Sequence, residues 1–146
     1  MSLINTSLLF KISQVAAKTN QALSKKLKEF DIASEQRIIL DLIKKENILS
    51  QNELSMILGK DKTTVSRLLD LIEKKGFIKR EKSLEDKRFR TIFLTKLGED
   101  LLQNTEFIIN EFRSDVLINI NQTQIDNVMN QLNKIFNNIE KYNNEK

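Results

Sequence analysis

Apolar residues recur at helical spacing along most of the chain. Residues 3–29 carry an apolar face with lysines between its members, which predicts one long helix. A second helix should begin at Ser34, whose side chain can cap it, and should end near Glu46. Two further helices are predicted within residues 95–120 and 125–139, and the second of these has the most regular apolar spacing in the chain.

The middle of the chain predicts two short helices joined by a tight turn. Ser50 and Glu53 have the spacing of a capping box at the start of the first helix, and Gly59 is placed to end it in a left-handed cap. Asp61 can cap the second helix, which should run to Lys75 with one apolar and one polar face. Two short helices linked in this way match the helix-turn-helix pattern.

Two segments rich in strand-forming residues follow the helix pair. They are residues 77–81 and 90–94, and the polar residues 83–88 between them predict a β-hairpin. Thr95 can cap the helix that comes next. The predicted fold class is therefore mainly α with a small β-hairpin wing, a winged helix-turn-helix flanked by N- and C-terminal helices.

The apolar stripe of the last helix indicates a partner. A chain of 146 residues is too small to cover both terminal helices within one subunit, so a second copy is expected to cover them in a homodimer. The alternative is that residues 3–29 fold back over the stripe within one chain. Residues 1–33 and 96–146 are predicted to form the helical dimerisation region, and 34–95 the winged helix-turn-helix lobe. The candidate dimer-interface residues are Leu8, Ile12, Ile125, Val128, Leu132, Ile135, Phe136 and Ile139.

Composition excludes most kinds of catalysis. The chain has no His, Cys or Trp, which rules out thiol nucleophiles, disulfides, zinc fingers and His-based triads. Adjacent acids such as Glu99 and Asp100 fall on different faces of a helix, so no enzyme and no metal site is predicted. No signal core or membrane-spanning apolar run is present, and a cytoplasmic protein with no membrane partner is expected.

Positive charge is concentrated in one segment. Residues 60–90 carry eleven Lys and Arg against six Asp and Glu, a net +5 that exceeds the +4 of the whole chain. A solvated face with chance clustering is the alternative explanation. The position of this segment over the second helix of the pair and the hairpin favours an anionic partner, double-stranded DNA.

The chemistry of these residues suits the grooves of DNA. The start of the second helix presents hydroxyls and two cations to a major groove, and basic residues of the hairpin loop could enter a minor groove. Asp70 and Glu73 would repel phosphate, so only the first two helical turns are expected to enter. The candidate DNA-binding residues are Ser50, Gln51, Lys60, Lys62, Thr63, Thr64, Ser66, Arg67, Lys87, Arg88 and Arg90.

One acidic residue lies among these loop cations. We expect Asp86 to pair with Arg88 or Arg67 and to fix the orientation of that guanidinium through charge-assisted hydrogen bonds. The alternative is an ordinary exposed ion pair of little energetic value.

The run from Leu54 to Gly98 combines several motifs at fixed distances. They are Lys60-Asp61-Lys62-Thr63-Thr64-Val65-Ser66-Arg67-Leu68-Leu69, Leu71-Ile72-Glu73-Lys74-Lys75-Gly76-Phe77-Ile78, Asp86-Lys87-Arg88 and Leu94-Thr95-Lys96-Leu97-Gly98. This combination resembles the MarR family of bacterial transcriptional regulators, over about a third of the chain. The resemblance implies a homodimer with interlocking terminal helices, in which two winged helices bind a pseudo-palindromic operator.

The same resemblance assigns roles to particular residues. Residues 61–75 are similar to the recognition helix, Arg88 to the arginine at the wing tip and Asp86 to its supporting carboxylate. A small residue commonly follows that arginine, and Phe89 departs from the pattern, which affects the path of the wing tip. Cysteine-based peroxide sensing is impossible in this chain.

The resemblance also implies a small aromatic effector, held between the dimer helices and the DNA-binding lobe. The candidate walls of its pocket are Phe10, Ile12, Phe107 and Phe112, whose simpler interpretation is plain core. The predicted function is a sequence-specific, ligand-responsive repressor, with no cofactor. The alternative is a winged-helix module that binds protein and has no specific affinity for DNA.

Overall fold

The computed structural model describes residues 2–82 and 90–145, and most of these are helical. A 3-10 turn, Lys28–Phe30, follows the helix Leu8–Leu27. The two strands form an antiparallel hairpin, so the predicted class, mainly helical with a two-stranded wing, is confirmed. The elements are α1 Leu3–Thr6, α2 Leu8–Leu27, α3 Ser34–Lys45, α4 Gln51–Leu58, α5 Lys62–Lys74, β1 Ile78–Lys82, β2 Arg90–Leu94, α6 Lys96–Val116 and α7 Gln122–Glu145.

The chain forms two compact units, one ending at Asn110 and the other beginning at Glu111. The first unit contains the helix pair, the hairpin and most of α6. Its core is continuous, and its largest fully buried apolar side chains come from α2, α3, α4, α5 and β2. These side chains are Leu27, Ile39, Leu40, Leu54, Val65, Leu69, Ile72 and Ile92.

The N-terminal region departs from the predicted single helix. Ser7 has an extended backbone between α1 and α2, and its Oγ accepts a hydrogen bond from the Phe10 N–H at 3.2 Å. The prediction that Ser34 caps the next helix is also wrong, because Ser34 is already the first residue of α3. Its hydroxyl donates instead to Asn20 Oδ1 at 3.3 Å, so a buried serine links α3 to α2.

Local capping sets the bounds of the helix pair. Ser50 Oγ accepts from the Glu53 N–H at 3.2 Å, as predicted, whereas the Glu53 carboxylate accepts from the Ser50 hydroxyl rather than from its backbone N–H. Gly59 ends α4 with φ of +64°. Asp61 Oδ1 then accepts from the Thr64 N–H at 2.7 Å and starts α5. The turn between the helices is therefore fixed at both sides.

Backbone contacts fix the base of the hairpin. Strand β1 begins one residue later than predicted, because the Phe77 N–H still donates to the Ile72 carbonyl at 3.0 Å. In the register of the hairpin, Ile78 lies opposite Leu94 and Lys82 lies opposite Arg90.

The hairpin is joined closely to the start of α6. Thr95 Oγ1 donates to the Gly76 carbonyl at 2.5 Å and accepts from the Gly98 N–H at 3.1 Å, which confirms Thr95 as the cap. A Cβ atom on Gly98 would lie 2.2 Å from the Phe77 carbonyl oxygen. Only glycine permits this close approach of the helix to the turn.

The candidate dimer-interface residues are not part of the core of the single chain. Leu8, Val128, Phe136 and Ile139 are exposed, and the other four, Ile12, Ile125, Leu132 and Ile135, are half-buried. Helix α7 has no buried residue at all. No helix within residues 2–82 and 90–145 is both long and apolar enough to cross a membrane.

Candidate nucleic-acid interface

Helix α5 separates its apolar and polar faces cleanly. Val65, Leu69 and Ile72 recur at intervals of four and three residues and are fully buried. Lys62 and Arg67 lie on the opposite side and are exposed. The same spacing that anchors the helix in the core therefore presents its cations to solvent.

A concave surface of about 490 Å³ runs along this exposed side. Its lining combines cations, hydroxyls and an amide from α4 and α5. The Gln51 side-chain amide donates to the Lys62 carbonyl at 3.5 Å, a long hydrogen bond that links the start of α4 to the start of α5. The lining residues are Gln51, Lys62, Thr63, Ser66, Arg67 and Asp70.

A second cleft of about 380 Å³ adjoins the first and lies between α4, α5 and the hairpin. Its walls include Arg80 from β1 and Arg90 from β2, together with Asn52 from α4 and Ser50, the residue that caps α4. The two surfaces share Gln51, Ser66 and Asp70. The structure thus gathers seven of the candidate DNA-binding residues, Ser50, Gln51, Lys62, Thr63, Ser66, Arg67 and Arg90.

Two other candidates do not line these surfaces. Lys60 Nζ lies 3.8 Å from Glu35 Oε1, so its charge is directed to α3. Thr64 is half-buried, and its N–H is occupied by the Asp61 cap. The hydrogen bond from that N–H lowers the pKa of the Asp61 carboxyl below its usual range, so the cap stays charged at the start of α5.

Sequence reasoning missed the role of Arg80. Its side chain is only 7% exposed and binds two acids of α5. Arg80 Nη2 lies 2.5 Å from Asp70 Oδ1 and 2.7 Å from Glu73 Oε1, and Nε donates to the same Glu73 oxygen at 3.1 Å. The Arg80 backbone N–H donates to the other Glu73 oxygen at 3.0 Å. One guanidinium therefore joins the hairpin to the third and fourth turns of α5.

This ion-pair cluster revises the expectation for the acids of α5. Asp70 does line the concave surface, with 64% of its side chain exposed, but its carboxylate is bound by Arg80. Hydrogen bonding from Arg80 also lowers the pKa of Glu73. Arg80 compensates both acids locally, which reduces the repulsion that they would exert on phosphate.

The period-2 pattern of the hairpin was the available signal for this cluster. Arg80 lies opposite the buried Ile92, so its side chain falls on the inward side of β1. A buried arginine requires acceptors, and Asp70 and Glu73 are placed three residues apart on the helix that packs against the strand.

The remaining loop candidates lie outside the described residues. They are Asp86, Lys87, Arg88 and Phe89, which include the predicted wing-tip arginine and its support. The pairing of Asp86 with Arg88 or Arg67 therefore stays a prediction.

The suggested walls of an effector pocket are not all core residues. Phe107 is 61% exposed and Phe10 is 36% exposed, whereas Ile12 and Phe112 are half-buried. The simpler interpretation as plain core is thus wrong for Phe10 and Phe107 within a single chain. Among the described residues, no group of acids is arranged to hold a metal ion.

The helix pair, the hairpin and the basic groove between them define a winged helix-turn-helix DNA-binding protein. A model of the MarR family matches residues 32–89, which include both helices of the pair. Over these residues the chain is similar to the MarR family of DNA-binding transcriptional regulators.

Solved structures of other proteins share this fold. A MarR/EmrR family transcriptional regulator from Acinetobacter sp. ADP1 is 26% identical, with 94% of this chain and 98% of that chain covered and a TM-score of 0.86. MepR of S. aureus, solved as a DNA complex, is 24% identical, with coverage of 92% and 99% and a TM-score of 0.81. A mutant MarR from E. coli complexed with operator DNA is 23% identical, with the same coverage and TM-score.

Proposed function

We propose that this regulator is a ligand-responsive repressor that binds a pseudo-palindromic operator as a homodimer. The observation that carries the proposal is the shared concave surface of α4 and α5, on which Lys62, Thr63, Ser66 and Arg67 face the same side. Arginine can bind guanine through two acceptors, and the hydroxyls can reach bases or phosphates. The MepR and MarR structures that contain DNA show that this fold can bind it in other proteins.

Each part of the surface has a proposed role. The first two turns of α5 enter the major groove, and the start of α4 contacts phosphate through Ser50 and Gln51. Lys60 would have to leave Glu35 to reach a phosphate. The hairpin cations contact the adjacent minor groove, with Asp86 as support. The proposed DNA-binding residues are Ser50, Gln51, Lys60, Lys62, Thr63, Thr64, Ser66, Arg67, Lys87, Arg88 and Arg90.

The proposed dimer uses the exposed apolar residues of the terminal helices. Residues 1–33 and 96–146 form its dimerisation region, and residues 34–95 form the DNA-binding lobe. The exposed apolar side chains of α7, such as Val128, Phe136 and Ile139, support this division because a single chain leaves them in water. Two recognition helices in such a dimer bind half-sites centred about 10 base pairs apart, or a multiple of that distance.

The proposed effector is a small aromatic molecule. By linkage, it can release DNA only if it binds more tightly to a dimer whose recognition helices are spaced wrongly for successive grooves. Its addition should therefore weaken DNA binding, and DNA should weaken its binding by the same factor.

A gel-shift titration against a duplex recovered from a random-sequence pool tests the site. Arg88→Ala and Lys62→Ala should each weaken binding about tenfold and reduce the slope of log affinity against log salt by about one. Lys74→Ala is the matched control, because it removes one charge from the far end of α5. Weak, salt-insensitive binding by the wild-type chain would favour a protein-interaction module instead.

A further inference from the structure

The hairpin is attached to α5 at two different levels. Near its base, the Phe77 N–H donates to the Ile72 carbonyl of α5, and the Thr95 N–H donates to the Phe77 carbonyl. Further towards the loop, the Arg80 side chain binds Asp70 and Glu73. The first level fixes where the hairpin starts, and the second acts closer to the wing cations.

We propose that Arg80 is a positioning residue that sets the angle between the recognition helix and the wing, so that both can contact DNA at once. This inference rests on the proposed function of the two elements. Arg80 itself is nearly buried and need not touch DNA to act.

The geometry of the cluster suits such a role. Four hydrogen bonds from Arg80 reach two acids that lie on successive turns of α5, and one of the four comes from its backbone. A planar guanidinium with several donors resists rotation about any one of these bonds. A lysine at the same place would keep the charge but would lose this fixed orientation.

The register extends the effect of Arg80 to the second strand. Arg80 pairs with Ile92, which is fully buried, and Ile92 donates its N–H to the Leu49 carbonyl at 2.9 Å. Arg90 lies two residues before Ile92 and lines the cleft that also contains Arg80 and Asp70. A fixed Arg80 therefore fixes the strand from which Arg90 projects.

Preorganisation should make the wing contact stronger. When the wing is held at the correct angle, Arg90 binds DNA without the entropic cost of ordering the hairpin. When the angle is not fixed, the entropic cost of ordering the hairpin offsets part of the binding free energy of the Arg90 contact. The contribution of Lys62, which lies at the other end of the site and on the rigid helix, should not change.

A double-mutant cycle measures this difference. DNA affinity is compared for Arg90→Ala and for Lys62→Ala, each in the wild-type and in the Arg80→Lys background, with the duplex recovered from a random-sequence pool. In the wild-type background, each substitution should weaken binding about tenfold. In the Arg80→Lys background, Arg90→Ala should lower DNA affinity only about twofold, whereas Lys62→Ala should still lower it about tenfold.

This result separates positioning from general stability. A variant that merely lowers the folded fraction would change overall affinity and leave both ratios the same. Equal losses for Arg90→Ala in the two backgrounds would overturn the inference while leaving the proposed function in place. If neither Arg90→Ala nor Lys62→Ala weakens binding in the wild-type background, the proposed site itself is wrong and the inference falls with it.

A second variant covers the case in which Arg80→Lys does not fold. Asp70→Asn removes one arm of the cluster at an exposed position and keeps Arg80 and Glu73. In the Asp70→Asn background, Arg90→Ala should cause a smaller loss of DNA affinity than in the wild type. An unchanged loss would contradict the role of the cluster. Lys79→Gln is the matched control, because Lys79 is an exposed cation of the same strand that pairs with Glu81 outside the cluster.

Discussion

Arg37 of α3 donates a hydrogen bond from Nε to Oγ1 of Thr105 in α6 over 2.8 Å, and both side chains are buried. The other donors of the guanidinium bind Asp41 Oδ2 at 2.6 Å, Glu106 Oε2 at 3.2 Å and the Leu102 carbonyl at 3.2 Å. A buried arginine is tolerated because its charge and its donors are satisfied together. This cluster fastens α6 to the first helix of the winged lobe.

Replacing Arg37 should therefore be costly. Arg37→Met removes the buried cation shared by Asp41 and Glu106 and leaves them only the exposed Lys45, at 3.6 and 3.9 Å. We expect a loss of about 3 kcal/mol in the free energy of unfolding. The value lies at the low end for a broken buried ion pair because both carboxylates retain contact with water. Urea unfolding followed by circular dichroism measures the change.

The matched control is an ion pair between the same two helices at the surface. Lys44 Nζ lies 3.1 Å from Glu99 Oε1, and both side chains are about half exposed. Lys44→Gln should cost less than about 1 kcal/mol. Equal losses in the two variants would show that burial of Arg37 contributes nothing.

For Gly98→Ala, helix propensity and packing predict changes of opposite sign in the free energy of unfolding. Within a helix, alanine is favoured over glycine by about 1 kcal/mol, so propensity alone predicts stabilisation. The added Cβ would lie 2.2 Å from the Phe77 carbonyl oxygen, a backbone atom that cannot move aside easily. We expect a net loss of about 1–3 kcal/mol in the free energy of unfolding, as at other overpacked sites. Thermal or urea unfolding measures it.

Gly59 separates this steric effect from backbone strain. Its φ is +64°, but a Cβ there would meet no atom within 4 Å. Gly59→Ala should cost roughly 1–2 kcal/mol through the left-handed conformation alone, and Gly59→Asn should cost less. If Gly98→Ala proved neutral, the close approach to Phe77 would not constrain the junction.

Acid should weaken the attachment of the hairpin. The pKa of Glu73 in the folded protein lies below its ordinary value of 4.5, since Arg80 hydrogen-bonds to its charged form. Its contribution to stability is thus complete above pH 4.5 and is lost as the pH falls through the lowered folded value. Glu73→Gln should reduce stability at neutral pH and flatten the acid-induced loss, as measured by urea unfolding across this range.

A matched carboxylate tests whether this effect belongs to the cluster. Glu29→Gln removes one exposed acid from the turn after α2, and the slope of its stability against pH is the reference for Glu73→Gln. The same slope in the Glu73→Gln variant would mean that the pairing with Arg80 does not contribute to acid sensitivity.

Local signals made much of the fold predictable. The caps at Ser50 and Asp61 depend on a partner three residues away, and Gly59 needs only its own backbone freedom. Each can be recognised within one helical turn of sequence. The break at Ser7 was missed because apolar spacing continues on both sides of it, and periodicity does not register a change of backbone direction at one residue.

The contacts that organise the candidate site were less accessible. Arg80 meets Asp70 and Glu73 only because the chain reverses after α5, and Arg37 meets Thr105 across 68 positions of sequence. Such pairs are products of tertiary packing. The period of the hairpin indicates that Arg80 lies on the inward side of β1, but the sequence does not show which acids it meets. The cationic face of α5 was predictable because all of its residues lie on one helix, where the helical period alone decides which side chains share a face.

The exposed apolar face of α7 leads to a prediction about assembly. Phe136 is 52% exposed in the single chain and belongs to the regular stripe that we propose as a dimer interface. Phe136→Glu would place a charge in that interface without a partner, which is unfavourable on both copies of a symmetric contact. Sedimentation velocity should show a shift from dimer to monomer, with weaker DNA binding in parallel.

Asn137→Glu is the control for this change, because it adds the same charge at the next position, on the polar side of α7. It should leave the dimer intact, since side chains of the polar side remain in water in either state. Monomeric wild-type protein at the concentrations that bind DNA would contradict the proposed homodimer. A dimer that persists in Phe136→Glu would instead place the contact between copies on another surface, and the spacing of the two recognition helices would then have to be set without α7.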